Sequence, residues 1–237
     1  MDFAIEPLAE DALLLRFGDA IDATLNARVH GAARAIRAAN LPGIVDVAPA
    51  YATLLVRFDS RFRGVDALPE AITKVLHDAF SRDHASGATT LAGSPAQHAE
   101  IPVCYGGGFG PDLDAIAQRA GATPGEVAAR HAAAEYTVAM LGFAPGFAYL
   151  LGMDPALHAP RRAHPRTRVP AGSVAIGGAQ TGIYPRELPG GWNLIGRTPL
   201  ALFDPDREPP CLLAPGDRVR FRAISEDEFR RLAERGA

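Results

Sequence analysis

Residues 173–204 read SVAIGGAQTGIYPRELPGGWNLIGRTPLALFD. Short β-prone pieces, SVAIGG (173–178), WNLIG (192–196) and ALFD (201–204), stand here between Gly- and Pro-rich turn signals, and DRVRFRAI (217–224) adds a fourth. Short strands at that spacing predict an antiparallel barrel or sandwich. To either side, AEIPVCY (99–105) and EYTVAML (135–141) read as further strands, and ISEDEFRRLAERGA as a terminal helix with Ser225 as cap and Glu228 three residues on. The punctuation is concentrated: of 44 Gly and Pro residues, 11 lie in residues 1–100 and 33 in residues 101–237. The chain therefore has two regions of different character.

The first region patterns as strand, strand, helix, strand, strand, helix. FAIEPL (3–8) and ALLLRF (12–17) flank an acidic turn; residues 22–39 place Leu25, Val29, Ala32, Ile36 and Ala39 at helical spacing. Asn40-Leu-Pro-Gly43 supplies stop signals. IVDVAP (44–49) and TLLVRF (53–58) read as strands, and residues 65–80 as a second amphipathic helix. Two helices on one face of a small antiparallel sheet bury these stripes, so an α+β domain of ferredoxin-like variant is expected over residues 1–85. The small, polar run 81–98 reads as a linker or exposed loop, with the boundary inside it: linker 86–98 and a mainly β domain over 99–237.

With 237 residues, 48% hydrophobic and 22% charged, the chain is long enough for a real core without disulfides. A formal net charge of −3 gives no bulk basic field for nucleic acid or membranes. The first residues carry acids where a signal peptide carries positive charge, and Cys104 and Cys211 lie far apart, so reduced thiols in a cytoplasmic protein are expected. The uncharged run Thr137–Met153 is broken by Gly142, Pro145, Gly146 and Gly152, so it reads as buried strands around a turn and not as a membrane span. Lys74 is the only lysine among 24 cationic residues, and GGGFG (106–110) is followed by no Lys and no Ser/Thr. The glycine loop therefore reads as a structural turn, with Asp112 and Asp114 in the first helical turn complementing the helix dipole. Thr123-Pro-Gly-Glu126 is a capping box that opens a helix through about Ala134.

Four stretches could carry chemistry. Gly142–Tyr149 (GFAPGFAY) bears three aromatics that either wall a pocket or plug a hairpin. Arg161–Arg168 (RRAHPRTR) holds four arginines, suited to carboxylate or phosphate or else to a protein interface; no stacking aromatics interleave them, so nucleic acid is disfavoured. Ser173, Gln180 and Thr181 offer hydrogen bonds, although Ser173 sits in no G-x-S-x-G elbow. Tyr184–Trp192 leads to Arg197 and Thr198, a second possible anion contact, with Trp192 as a plug. His131 is the acid/base candidate by residue type, or else a satisfied structural histidine. No Cys/His array points to a metal.

The runs HAAAEYTVAMLGFAPGFAYL (131–150) and PRRAHPRTRVPAGSVAIGGAQTGIYPRELPGGWNLIGRTPLALFDP (160–205) closely resemble the 5-oxoprolinase B-subunit / Kip inhibitor family. That family is also described as allophanate hydrolase subunit 1 and as half of the carboxyltransferase domain of urea carboxylase. The resemblance runs from about Ile101 to Arg220, with Gly108 where the family carries an acidic residue. It implies an α+β domain followed by a cyclophilin-like β-barrel. It also implies a subunit of an ATP-dependent 5-oxoprolinase, which opens 5-oxo-L-proline to L-glutamate with partner subunits A and C. A lactam is a poor electrophile, and phosphorylating its carbonyl oxygen makes ring opening feasible; that chemistry needs cations on phosphoryl oxygens and donors on the amide.

On that implication Arg162, Arg166, Arg168 and Arg197 become anion contacts. Ser173, Gln180, Tyr184 and, beside Arg197, Thr198 become substrate contacts, and His131 a proton shuttle. With no P-loop present, the ATP chemistry would be shared, with ATP at a subunit interface, or built on arginine. Two alternatives stand beside this: half of a biotin-dependent carboxyltransferase acting on urea or allophanate, and a binding module that inhibits a histidine kinase.

Overall fold

The computed structural model describes residues 3–86 and 97–235. The chain divides into two compact units, Met1–Pro95 and Ala96–Ala237.

In the first unit, β1 (Ala4–Ala9) and β2 (Ala12–Arg16) form a hairpin, α1 (Ala23–Ala39) crosses over, and β3 (Ile44–Pro49) and β4 (Thr53–Phe58) form a second hairpin before α2 (Leu68–Ser86). The sheet order is β1-β2-β4-β3 with antiparallel neighbours, so β2 and β3 run parallel on either side of β4. Alternation along the strands sends Leu13, Leu15, Leu54 and Val56 to one face, where they pack with Val29 and Ile36 of α1 and Ile72 and Leu76 of α2. Each such aliphatic side chain, fully buried, stabilises the unit by about 1.5–3 kcal/mol. Asp22 caps α1 by accepting from the Leu25 N–H, and Asn40 ends it in the left-handed conformation.

The second helix runs past its expected end at residue 80, as far as Ser86. Residues 81–86 contain neither Gly nor Pro, so nothing interrupts the backbone ladder before Gly87. Most of the expected linker, residues 87–96, lies outside the described residues.

The second unit holds β5 (His98–Tyr105), α3 (Leu113–Ala120), α4 (Pro124–Ala133), β6 (Glu135–Leu141), β7 (Ala148–Leu151), β8 (Arg166–Val169) and β9 (Ser173–Gly177). It continues with β10 (Gln180–Ile183), β11 (Leu188–Gly190), β12 (Asn193–Arg197), β13 (Arg218–Ala223) and α5 (Glu226–Arg235). Seven strands close a barrel in the order β10-β7-β6-β13-β5-β12-β9. It is a mixed barrel and not the antiparallel one expected, because β13 pairs parallel to β5, with Phe221 opposite Ile101. Turn signals report only hairpin neighbours, whereas this pair joins the two ends of the unit.

ALFD (201–204) is no strand; only an isolated bridge links Phe203 to Cys211. Pro199 and Pro205 flank it and cannot donate to a ladder. The capping box forms at Thr123 and Glu126. Cys104 and Cys211 are both free thiols. Among the described residues no helix is long and apolar enough to cross a membrane.

Inside the barrel, Ile101, Val103, Val138, Leu150, Ile176, Ile195 and Phe221 fill the lumen, so it is a packed core and no channel. The intervening residues face outward. Ala175 and Leu194 join Ala144, Phe147, Val169, Tyr184 and Trp192 in a separate apolar cluster. Beside it, β8 and β11 pair as a two-stranded ribbon apart from the barrel sheet. That outer face positions the site.

Candidate functional site

A pocket of about 220 Å³ opens over this outer cluster, walled by Phe143, Phe147, Tyr149, Tyr184 and Trp192, with Arg161, Arg162 and the Pro189–Gly191 turn at its edge. The rings meet edge to face: Phe147 to Tyr184 at 5.0 Å, Phe147 to Trp192 at 5.8 Å and Tyr149 to Trp192 at 5.7 Å between centroids. Glycines make the space. A Cβ on Gly177 would lie 2.5 Å from Trp192 Nε1, and one on Gly190 would lie 2.2 Å from the Tyr184 hydroxyl. Phe143 at the rim is 62% exposed and held at φ 70°, where a non-glycine residue is strained.

The charge at the pocket is arginine. The Arg161 guanidinium stands 5.9 Å from the Trp192 ring centroid, an exposed cation over an aromatic face. Burial raises the hydroxyl pKa values of Tyr149 and Tyr184, partly offset at each by Arg161, so both stay protonated.

Behind them, Asp112 is buried just before α3. It accepts from Arg162 Nη1 at 2.8 Å, from Arg166 Nη1 and Nη2 at 2.8 and 2.9 Å, and from the Leu194 N–H at 2.8 Å. Burial opposes ionisation of this carboxyl, but the Arg166 hydrogen bonds, the Leu194 N–H and the two arginine charges outweigh it and hold the pKa below the usual range. Asp112 stands at the N-cap of α3, but its side chain makes no cap hydrogen bond and serves as counter-ion of the arginine cluster.

Each of the four arginines expected as anion contacts has protein partners of its own. Arg162 lines the pocket but is anchored on Asp112, and its Nε is buried without a partner among the described residues. Arg166 spends both terminal nitrogens on Asp112. Arg168, 81% exposed, lies 3.6 Å from Glu187, and Arg197 donates from Nε to the Ala171 carbonyl. Tyr184 is in the pocket wall.

Ser173, Gln180 and Thr198 are not in that wall. Ser173 and Thr198 are buried in the backbone turns around Gly172, and Gln180 pairs with Gly177 at the β9–β10 turn. His131 is also elsewhere. It is fully buried with Tyr105 Oη at 2.8 Å from Nδ1 and Thr181 Oγ1 at 3.0 Å from Nε2. Thr181 donates to the Ala175 carbonyl, so Nε2–H must donate to Thr181 and the Tyr105 hydroxyl to Nδ1. Burial lowers the His131 pKa to about 3. A histidine neutral at pH 7, with both nitrogens engaged away from the pocket, is a structural group and not a shuttle. Arg161 and Trp192 were visible in the sequence as a cluster member and a plug. Asp112 gave no signal, its partners being 50 and 54 residues away.

The family model for the carboxyltransferase domain, subdomain C and D, matches residues 3–213. The chain is 44% identical over 230 residues to the 5-oxoprolinase B-subunit of Bacillus subtilis (strain 168), covering 96% of this chain and 95% of that protein. The chain belongs to the 5-oxoprolinase B-subunit family. Among solved structures, this family member resembles TTHA0988 at 41% identity and a TM-score of 0.76, over 90% of its own length and 40% of that chain. It thus spans about two fifths of the TTHA0988 chain. It shares its fold with the Kluyveromyces lactis urea amidolyase, at a TM-score of 0.75 and 20% identity, over 99% of this chain and 15% of that one.

Proposed function

We propose that this chain is the B-subunit of an ATP-dependent 5-oxoprolinase that opens 5-oxo-L-proline to L-glutamate, working with subunits A and C. The outer-face pocket would be its part of the substrate site. The carrying observation is Arg161 over Trp192 at the mouth of a small aromatic pocket. At about 220 Å³ the space lies below the usual range for drug-sized ligands and suits a five-membered ring. Aromatic walls exclude water from a flat ring, and the exposed guanidinium suits its carboxylate. Tyr184, kept protonated by burial, offers a neutral hydroxyl and not a base.

ATP does not fit this pocket. The volume is too small for a nucleoside triphosphate, and Asp112 already engages Arg162 and Arg166 and offsets one of their two charges. We therefore place ATP with the partner subunits, at an interface this chain helps to form, and the assembly in the cytoplasm where ATP is supplied. We also read the two units as two domains. The first is a ferredoxin-like variant, on the parallel β2 and β3 flanking β4; the second is a cyclophilin-like barrel.

Charge reversal tests the site. Arg161→Glu should abolish 5-oxo-L-proline turnover while the complex still assembles on a sizing column. Unchanged turnover would remove the pocket from the mechanism. Turnover of urea in place of 5-oxo-L-proline would favour the carboxyltransferase alternative.

A further inference from the structure

Arg162, one of the residues at the edge of the pocket, carries a buried polar atom, Nε, that has no hydrogen-bond partner among the described residues. The rest of that guanidinium is well placed. Its Nη1 donates to Asp112 Oδ1, while Arg166 holds the same carboxylate through both terminal nitrogens. The carboxylate is itself located by the backbone: Asp112 directly precedes α3 and accepts from the Leu194 N–H on β12. A guanidinium is a rigid planar fork, so pinning one terminal nitrogen restricts where its Nε–H points. A buried donor with no acceptor is unfavourable, and a ligand oxygen relieves it.

We propose that Asp112 is the positioning residue of this pocket: it engages Arg162 and Arg166 so that the Arg162 Nε–H is left to donate to an acceptor oxygen of the bound substrate. This rests on the reading of the pocket as the substrate site. Arg162 then touches substrate, whereas Asp112 acts only through it.

The test has two arms. In the full-length chain labelled with nitrogen-15, the Nε–H signals of Arg162 and Arg166 are identified through Arg162→Lys and Arg166→Lys. They should be resolved in the wild type. In Asp112→Asn they should merge with the bulk arginine signals while the backbone amide spectrum is retained, and Asp112→Glu should restore part of the resolution. In the complex assembled with subunits A and C, Asp112→Asn and Arg162→Lys should each raise KM for 5-oxo-L-proline at least tenfold and change kcat less than threefold. The double variant should be no worse than either single one, because both act through one atom.

Resolved Nε–H signals in Asp112→Asn, an unchanged KM, or multiplicative effects in the double variant would overturn the proposal. A fall in thermal stability with KM unmoved would mark Asp112 as merely structural. If Asp112→Asn does not fold, Arg162→Lys decides on KM alone, an unchanged value overturning the assignment. If the wild-type complex turns over no 5-oxo-L-proline, the substrate reading has failed. The positioning claim is then decided by the Nε–H signals: loss in Asp112→Asn sustains it and retention overturns it.

Discussion

Two buried polar residues set the behaviour of the barrel unit. His131 is held neutral by burial, with its pKa lowered from 6.5 to about 3. The unfolded chain takes up a proton below pH 6.5 and the folded chain does not. The stability His131 contributes is therefore complete above about pH 6.5 and lost as pH falls towards 3. The slope is about 1.4 kcal/mol per pH unit. Denaturant titrations from pH 8 to pH 4 should show this fall, and His131→Gln should flatten it; a parallel slope in the variant would mean the acid sensitivity lies elsewhere.

Asp112 is the second. Replacing it with Ala leaves two guanidinium groups facing each other, but Arg162 and Arg166 keep side-chain exposures of 35% and 23%. The loss should therefore stay below the roughly 3–5 kcal/mol of breaking a fully buried pair. Equilibrium unfolding of Asp112→Ala measures it. Neither role could be read from the sequence. His131 was an acid/base candidate by type, and only the barrel interior decides that both its nitrogens are engaged. Asp112 looked like an ordinary first-turn acid because a carboxylate's partners across 50 residues leave no local trace.

At the scale of elements, local pattern carried far. IVDVAP and TLLVRF coincide with β3 and β4, and the box at Thr123 and Glu126 opens α4. These elements are specified by alternation and capping within a few residues. What escaped was non-local. Among the described residues the short β8 and β11 pair only with each other, and the parallel β5–β13 ladder joins strands whose paired residues Ile101 and Phe221 stand at opposite ends of the unit.

The aromatic pocket follows the same division. Three of its rings stand together in GFAPGFAY, but the packing of Phe147 and Tyr149 against Trp192 depends on Gly177 beneath the indole. Gly177→Ala should expel the ring, shifting Trp192 emission to the red and destabilising the chain by about 1–3 kcal/mol. Native emission in that variant would show that the wall yields more readily than close packing allows. Trp192 is the only tryptophan in the chain, so the signal is unambiguous.

At the scale of the whole molecule, each unit has its own core: one built on Leu15, Ile36 and Leu54, the other on Val103, Tyr136 and Ile176. Residues 97–237 alone should therefore unfold cooperatively and retain the native Trp192 emission; a fragment lacking a cooperative transition would show that the barrel needs the first unit. The surplus of glycine and proline after residue 100 belongs to the turns of that barrel and to the close approaches beneath its aromatic face. The lone Lys74 lies on α2 in the first unit, leaving arginine as the cation of the pocket.

Whether this chain completes a 5-oxoprolinase is decided by co-purifying it with candidate subunits A and C and following ADP and L-glutamate from ATP and 5-oxo-L-proline. The full set should release both products in equal amounts, and none should appear when this chain is omitted. Full turnover without this chain, or no 5-oxo-L-proline-dependent ATP hydrolysis with all three present, would contradict the proposed role.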